Sequence, residues 1–152
     1  MITITYPWQE AQTILFIDLL TKSPYTLLYF YPKDDTPGCT REAIDFSAKQ
    51  EEFQTKGVQI IGVSQDTHKS HCSFHSKHSL TIPLISDVDH ELHNDDRFRT
   101  RGEKTMYGKK YMGTVRSTFL LNDQWGVIKD WHDVSVAGHV QEVLDYVYDT
   151  IW

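Results

Sequence analysis

The chain alternates short apolar runs with longer segments in which apolar residues recur every three or four positions. Short apolar runs predict buried strands, and the longer periodic segments predict helices. The predicted strands are residues 26–31, 58–63, 83–85, 117–121 and 127–131. The last two flank residues 122–126, where Asn, Asp and Gly predict a hairpin turn.

Three segments have helical periodicity. The first, residues 40–56, carries apolar residues on one side, interrupted by Gln50, and Gly57 follows it as a helix end. The second is residues 67–78. The third lies near the C-terminus, and its apolar side is formed by Val140, Val143, Leu144, Val147 and Ile151.

The order of strands and helices is typical of an α/β protein. It predicts a central mixed β-sheet flanked by helices on both faces, an arrangement compatible with a thioredoxin-like fold among others. The 152 residues contain no internal repeat, and we expect one compact domain over residues 1–152. Near the N-terminus, residues 2–4 fit an edge strand, and residues 7–20 fit either a helix or a strand.

Composition narrows the classes of partner. Fifteen Lys and Arg against 21 Asp and Glu give a net charge of −6, which argues against nucleic acid and against an anionic membrane surface. The apolar run Ile14 to Leu20 contains Asp18 and is too short to span a bilayer. The N-terminus lacks the basic and apolar regions of a signal peptide. We therefore expect a cytoplasmic protein whose partners are small molecules or other proteins.

Two cysteines without a dense spacing pattern do not resemble a secreted disulfide scaffold. Cysteines of cytosolic proteins are kept reduced, and a catalytic role then fits better than a structural one.

Cys39 occupies the position with the clearest chemistry. A predicted strand leads into a loop that places Cys39 at the start of the first predicted helix, where unpaired N–H groups and the helix dipole favour a thiolate. Gly38 leaves room for a small substrate, and the Thr36 hydroxyl can donate to the sulfur or to an incoming oxygen. Pro32 ends the strand and can shield the thiolate from water. The residues alone also allow Cys39 to be a small buried apolar group.

This loop resembles the active-site loop of peroxiredoxins. Their signature is a proline, three residues, a threonine, two residues and the peroxide-attacking cysteine, and Pro32, Thr36 and Cys39 match it. The run from residue 29 to residue 42 (YFYPKDDTPGCTRE) resembles the version found in the peroxiredoxin Q, or bacterioferritin comigratory protein, group. A second match is residues 102–113 followed by Arg116, and the resemblance covers roughly residues 27 to 152.

The resemblance implies a thioredoxin-like fold and a thiol-dependent peroxidase. Cys39 would attack a hydroperoxide and become a sulfenic acid, and Arg116 would reach the cysteine and stabilise the charge on the leaving oxygen. Glu42 would orient Arg116 through an ion pair, although a first-turn acid also complements the helix dipole. No cofactor is implied, whether metal, flavin or nucleotide.

The sequence departs from the family at the second cysteine. Many peroxiredoxin Q proteins place a resolving cysteine five residues after the first, and that position is Ile44. The other thiol is Cys72, 72 − 39 = 33 residues downstream in the second predicted helix. Since some relatives place the resolving cysteine there, the resemblance favours a Cys39–Cys72 disulfide reduced by thioredoxin or a similar dithiol. Otherwise Cys72 is a bystander and an external thiol recycles Cys39.

Two further readings stay open. A peroxide-sensing thiol protein without efficient turnover would use the same Cys39 thiolate. A thiol–disulfide oxidoreductase fits less well, because its second thiol usually follows the first with two residues between them, and Glu42 stands at that position. We expect a monomer or a weak dimer, since no extension follows the last helix to carry a swapped-tail disulfide.

The second predicted helix is rich in histidine. Its four histidines recur at spacings of three and four residues: His68, His71, His75 and His78. We predict a partly exposed polar face there in preference to a metal site, because the cluster lacks a carboxylate. Protonated imidazoles beside Cys72 would also favour its thiolate form.

Overall fold

The computed structural model describes residues 1–7 and 10–151, and for Met106 the backbone alone. The strands of these residues are β1 (Ile2–Thr5), β2 (Gln12–Ile14), β3 (Tyr25–Phe30), β4 (Val58–Ser64), β5 (Leu84–Ser86), β6 (Arg101–Met106), β7 (Lys109–Thr114), β8 (Ser117–Asn122) and β9 (Val127–Trp131). The helices are α1 (Phe16–Leu20), α2 (Pro37–Thr55), α3 (His68–His78) and α4 (His139–Thr150).

Seven strands form one mixed sheet in the order β2-β1-β5-β4-β3-β8-β9. The interior strand β3 pairs parallel with β4 and antiparallel with β8, so that Tyr29 lies between Gly62 and Thr118. The predicted mixed sheet is therefore confirmed, and β3, which leads into the Cys39 loop, lies in its interior.

Both faces of the sheet are covered, which explains why the residues of β3 from Leu27 onward are all apolar or aromatic. Leu27, Tyr29 and Tyr31 face one hydrophobic core, while Leu28 and Phe30 face the other. The first core is completed by apolar residues of α2, α4 and α3, among them Phe46, Val143 and Phe74. The second is completed by Phe16, Leu19 and Leu20 of α1 and by Leu92 and Phe98.

Helix α2 begins at Pro37, three residues before the predicted start. Proline suits the first helical position because its missing N–H would have no partner within the helix there. The earlier start places Cys39 inside the first turn of α2, as its third residue.

The N-terminal residues differ from expectation. The strand over residues 2–4 is present, but it is not at an edge, because β1 lies between β2 and β5. Residues 7–20 contain both a strand, Gln12–Ile14, and a short helix, Phe16–Leu20, instead of one or the other. Trp8 and Gln9 of that stretch lie outside the described residues.

A hairpin of β6 and β7 was not predicted and stands apart from the main sheet. Its turn residues, Tyr107 and Gly108, both have positive φ, at 53° and 77°, as two-residue hairpin turns often require. Its strands carry charged residues without a clean alternation, which hides them from a hydrophobicity pattern. No helix within residues 1–7 and 10–151 is long and apolar enough to cross a membrane.

Candidate active site

The first turn of α2 presents free backbone donors around Cys39. The amide of Thr40 makes the first helical hydrogen bond, to the carbonyl of Thr36 at 2.8 Å. The N–H groups of Gly38 and Cys39 precede it and therefore have no acceptor within the helix. Together with the helix dipole, they create positive potential at the thiol.

Arg116, between β7 and β8, joins Cys39 to Glu42. Its Nη2 is 3.3 Å from Sγ of Cys39, and its Nη1 is 2.6 Å from Oε1 of Glu42. Cys39 and Glu42 are three residues apart on α2 and so share one helix face. The structure brings these three predicted site residues together, although they come from positions up to 77 residues apart.

Burial sets the electrostatics of this cluster. Cys39 is 1% exposed and Glu42 is fully buried. Burial raises the pKa of Glu42 to about 7, although the charge and hydrogen bond of Arg116 act against this rise. Burial alone would lower the pKa of Arg116. The charges and hydrogen bonds of Glu42 and Cys39 outweigh this effect and raise the pKa of Arg116 above its ordinary value. Arg116 is therefore a fixed positive charge beside the thiol.

Gly38 allows the guanidinium to approach the sulfur. A Cβ at this position would lie 3.2 Å from Nη2 of Arg116 and 3.7 Å from Cγ2 of Val136. The sequence suggested that Gly38 makes room for a small substrate. In the structure, the group that uses the space is the side chain of Arg116.

Thr36 and Pro32 shape the loop before the helix. The Thr36 hydroxyl donates to the carbonyl of Lys33 at 2.8 Å. Its proton is thus engaged in the loop, and donation to the Cys39 sulfur, one of the two predicted roles, is absent from this structure. The lone pairs of the hydroxyl remain available as acceptors. Pro32 is half-buried two residues after the end of β3, and its role as a shield stays a prediction.

Aromatic rings close the site from the sheet side. Tyr29 stacks on Phe46 of α2 with ring centroids 4.6 Å apart. Burial, followed by the charge of Glu42, raises the pKa of Tyr29 well above its ordinary value, so the phenol stays protonated. Gly62 makes room for this ring, because a Cβ there would lie 2.9 Å from the phenol oxygen.

Asp34, which the sequence did not single out, ties the Cys39 loop to α3. Its buried carboxylate accepts hydrogen bonds from Tyr31 at 2.6 Å and from Ser70 at 2.8 Å, and Oδ2 lies 2.7 Å from Nδ1 of His71. The partners span residues 31–71. One indication of this contact was present in the sequence, the histidines of α3. Two of them, His71 and His78, contact the loop carboxylates of Asp34 and Asp35.

The prediction of a partly exposed polar face is wrong for two of the four histidines. His71 and His75 are buried, and their Nε2 atoms contact the carbonyl oxygens of Ile85 and Ile82 at 3.1 and 2.7 Å. They face inward because this side of α3 packs against β1 and β5 of the sheet.

The other two histidines are half-buried. His78 contacts Asp35 at 2.7 Å, and His68 lies beside Cys72. Within the part of the chain that the structure describes, no three His, Cys, Asp or Glu side chains are grouped to hold a metal ion.

Cys72 is a half-buried free thiol on α3, and Cys39 is also free. The Sγ atom of Cys72 is 3.5 Å from Nε2 of His68. Cys39 contacts Arg116, and Cys72 contacts His68, so each thiol lies beside a different basic residue.

The arrangement of thiol, arginine and glutamate agrees with the family comparison. Residues 2–130 match the profile of the AhpC/TSA family. The chain belongs to this family.

The similar proteins are peroxiredoxins. The peroxiredoxin Bcp of Xanthomonas campestris is 48% identical over 120 residues, which cover 79% of this chain and 74% of the relative. The solved structure of peroxiredoxin Q from the same organism superimposes with a TM-score of 0.83 at 40% identity, covering 97% of this chain and 90% of that one.

A further solved structure concerns the alkyl peroxide reduction activity of the bacterioferritin comigratory protein of X. campestris, studied in trapped intermediate and ligand complexes. It has a TM-score of 0.82 at 39% identity and covers 97% of this chain and 90% of that one. These likenesses confirm the thioredoxin-like fold and identify the chain as an oxidoreductase, a thiol peroxidase.

Proposed function

We propose that residues 1–152 act as one domain that reduces hydrogen peroxide and organic hydroperoxides through Cys39, without a cofactor. The observation that carries the proposal is the position of Arg116, whose two terminal nitrogens contact Sγ of Cys39 and the carboxylate of Glu42. A fixed cation at the sulfur stabilises both the thiolate and the charge that develops when the thiolate attacks.

The first step is attack by the Cys39 thiolate on the nearer oxygen of the peroxide. A sulfur–oxygen bond forms, the O–O bond breaks, and the sulfur is oxidised to a sulfenic acid. The leaving oxygen departs as hydroxide or alkoxide and takes up a proton to give water or an alcohol. Arg116 and the free N–H groups of Gly38 and Cys39 are the donors that stabilise this oxygen.

The site favours small or slender hydroperoxides. Cys39 is only 1% exposed, so a bulky substrate cannot reach the sulfur unless the residues that cover it move. The relative from X. campestris has alkyl peroxide reduction activity, which supports organic hydroperoxides as substrates beside hydrogen peroxide.

The second step in our proposal is attack by Cys72 on the sulfenic acid, which forms a Cys39–Cys72 disulfide and releases water. Disulfide formation needs α carbons within about 7 Å. The contacts of Asp34 with Ser70 and His71 hold α3 against the loop, and we propose that part of α3 detaches before the two sulfur atoms meet. A dithiol such as thioredoxin would then reduce the disulfide and return both cysteines to the thiol form.

We propose the cytoplasm as the site of action and a monomer, or at most a weak dimer, as the working form. The negative net charge of −6 supports neither nucleic acid nor a membrane as a partner. The expected partners are the hydroperoxide and the dithiol reductant. Light scattering of the reduced and oxidised protein would measure the mass of the assembly.

Intact mass spectrometry without reductant, after one equivalent of hydrogen peroxide, tests both steps. Loss of two hydrogens with both thiols blocked supports the Cys39–Cys72 disulfide. Added oxygen with Cys72 still free would indicate a one-cysteine peroxidase recycled by an external thiol. No mass change would contradict the assignment of Cys39.

Two single variants serve as controls for the mass experiment. Cys39→Ser should consume no peroxide, whereas Cys72→Ser should reduce one equivalent and stop at the sulfenic acid. Steady turnover of the unmodified protein with thioredoxin and its reductase would support an enzyme that recycles. A single turnover followed by a stall would indicate a sensor.

A further inference from the structure

A row of three buried polar side chains ends two residues before Arg116. Oδ2 of Asp87 is 2.6 Å from Nδ1 of His93, and Nε2 of the same ring is 2.8 Å from Oγ1 of Thr114. Their exposed fractions are 6%, 0% and 2% in this order. Thr114 is the last residue of β7, and residues 115 and 116 are the whole connection to β8. The proposed reaction makes no use of these three residues, which we call the buried row.

Asp87 fixes the orientation of the His93 ring. Its carboxylate also accepts hydrogen bonds from the backbone amides of Leu92 at 3.1 Å and of His93 at 2.9 Å. Burial alone would raise the pKa of Asp87, but the hydrogen bonds from His93 and Leu92 outweigh this effect and lower the pKa below its ordinary value. An ionised carboxylate only accepts hydrogen bonds, so Nδ1 is the donor to Asp87. Nε2 then faces the hydroxyl of Thr114, which can donate or accept.

The backbone of His93 holds the next residue of the same connection. Its carbonyl accepts a hydrogen bond from the amide of Thr100 at 3.0 Å, and the carbonyl of Thr100 accepts one from the amide of Val115 at 2.6 Å. His93 thus supports two consecutive residues, Thr114 through its side chain and Val115 through Thr100. The backbone that leads to Arg116 is therefore fixed from the protein interior.

The position of this backbone matters because the Arg116 side chain makes two directed contacts. Its Nη2 is 3.3 Å from Sγ of Cys39, and its Nη1 is 2.6 Å from Oε1 of Glu42. A misplacement of about 1 Å in a catalytic arrangement can cost on the order of 10²-fold in rate. A guanidinium that must meet two partners at once needs a backbone that does not shift.

We infer that the buried row positions the guanidinium of Arg116 at the sulfur of Cys39. Thr114 is the direct support, His93 holds it, and Asp87 orients the ring of His93. The row acts through the backbone that carries Arg116, so its members are positioning residues and take no part in making or breaking bonds. The inference rests on the proposed function, because it requires Arg116 to act in the attack on peroxide.

Thr114→Val tests the inference, since it keeps the branched shape of the side chain and removes the hydroxyl. Its rate of peroxide reduction, measured by competition with horseradish peroxidase, should fall by about tenfold. Thr114→Ser retains the hydroxyl and should restore most of the rate. Thr114→Ala removes the hydroxyl without placing a methyl group against the imidazole, and it replaces Thr114→Val if circular dichroism shows that the valine variant does not fold.

A double-mutant cycle separates the positioning of Arg116 from a general loss of stability. In an Arg116→Ala background, Thr114→Val should have no further effect on the rate, because no guanidinium is left to position. The matched control is Thr5→Val, which removes the hydroxyl from another contact between a buried threonine and a histidine, that of Thr5 with His68 at 2.7 Å. This control should keep the parent rate even where thermal unfolding shows a similar loss of stability.

A Thr114→Val protein with the parent rate would overturn the inference, and so would an equal fold-loss in both backgrounds. Arg116→Ala in the same assay judges the proposed function separately. The parent rate in Arg116→Ala would contradict the role of Arg116 itself. A slow Arg116→Ala protein beside an unimpaired Thr114→Val protein would remove only the positioning role of the buried row.

Discussion

Glu42 is fully buried, yet it turns only one of its two carboxylate oxygens to Arg116. Oε1 lies 2.6 Å from Nη1, while the buried Oε2 has no hydrogen-bond partner among the described residues. A buried carboxylate whose second oxygen is unsatisfied favours the protonated form. This explains why burial raises the pKa of Glu42 to about 7 despite the adjacent guanidinium.

The pH dependence of stability should report on Glu42. The pKa of Glu42 is about 7 in the folded protein, against an ordinary value of 4.5 for an exposed glutamate. Between these two pH values, the folded protein therefore keeps a proton on Glu42 that the unfolded chain loses. The contribution of protonated Glu42 to the free energy of unfolding is therefore fully present below pH 4.5 and is lost as the pH rises through about 7. One pKa unit corresponds to about 1.4 kcal/mol, which makes the change roughly 3 kcal/mol.

Urea unfolding of the protein and of its Glu42→Gln variant at several pH values would measure this change. The variant has no titrating group at residue 42. The free energy of unfolding of the parent, minus that of the variant, should therefore fall from acid to neutral pH. A difference that is constant with pH would show that Glu42 is ionised throughout.

Arg116→Ala should slow peroxide reduction by about 10²–10³-fold, the usual effect of removing one preorganised donor to developing charge. Arg116→Lys keeps the positive charge but lacks the two terminal nitrogens with which arginine contacts Cys39 and Glu42 together. Its rate should therefore lie between that of Arg116→Ala and that of the parent. Competition with horseradish peroxidase for hydrogen peroxide measures the first step without recycling. Unchanged rates in both variants would remove Arg116 from the reaction.

The sequence predicted the parts of the fold that hydrophobicity specifies. The buried strand before Pro32 and the amphipathic helix after Cys39 have clear patterns, and together they placed the thiol at a helix N-terminus. The contact of Arg116 with this site followed from the family resemblance alone, because no local pattern joins residues 77 positions apart.

The polar contacts inside the protein could not be predicted from the sequence. Asp34 looks like a loop residue, and its buried role depends on a helix that lies 37 positions away at His71. The hairpin of β6 and β7 was not predicted for a different reason. Most of its described side chains are exposed, and no hydrophobic alternation marks its strands.

Asp34→Asn should destabilise the protein and loosen α3. The amide replaces an acceptor by a donor toward Ser70 or His71, and leaving such buried groups unsatisfied costs about 1–3 kcal/mol. The matched control is Asp35→Asn, because the carboxylate of Asp35 contacts Lys77 and His78 at the surface and should contribute little.

Hydrogen exchange followed by mass spectrometry would compare the two Asp variants. Amides of α3 should exchange faster in Asp34→Asn, while those of Asp35→Asn should match the parent. If detachment of α3 limits formation of the Cys39–Cys72 disulfide, Asp34→Asn should also form it faster after peroxide. Equal exchange in α3 for both variants would show that Asp34 does not hold the helix.

Gly38→Ala should separate activity from stability. The added Cβ would lie 3.2 Å from Nη2 of Arg116, so the guanidinium would have to shift by a few tenths of an ångström, and peroxide reduction should slow. Gly38 does not have a positive φ, so alanine introduces no backbone strain there, and the free energy of unfolding should change little.

Gly108→Ala is the converse control for this pair of effects. Among the described residues, no atom outside the chain neighbours lies within 4 Å of a Cβ at this position, but its φ of +77° strains any residue with a Cβ. It should lose about 1–2 kcal/mol of stability and keep its peroxidase rate. Peroxide competition and thermal unfolding of both variants give the comparison. A Gly38→Ala enzyme with the parent rate would mean that Arg116 need not contact the sulfur as closely as 3.3 Å during the reaction.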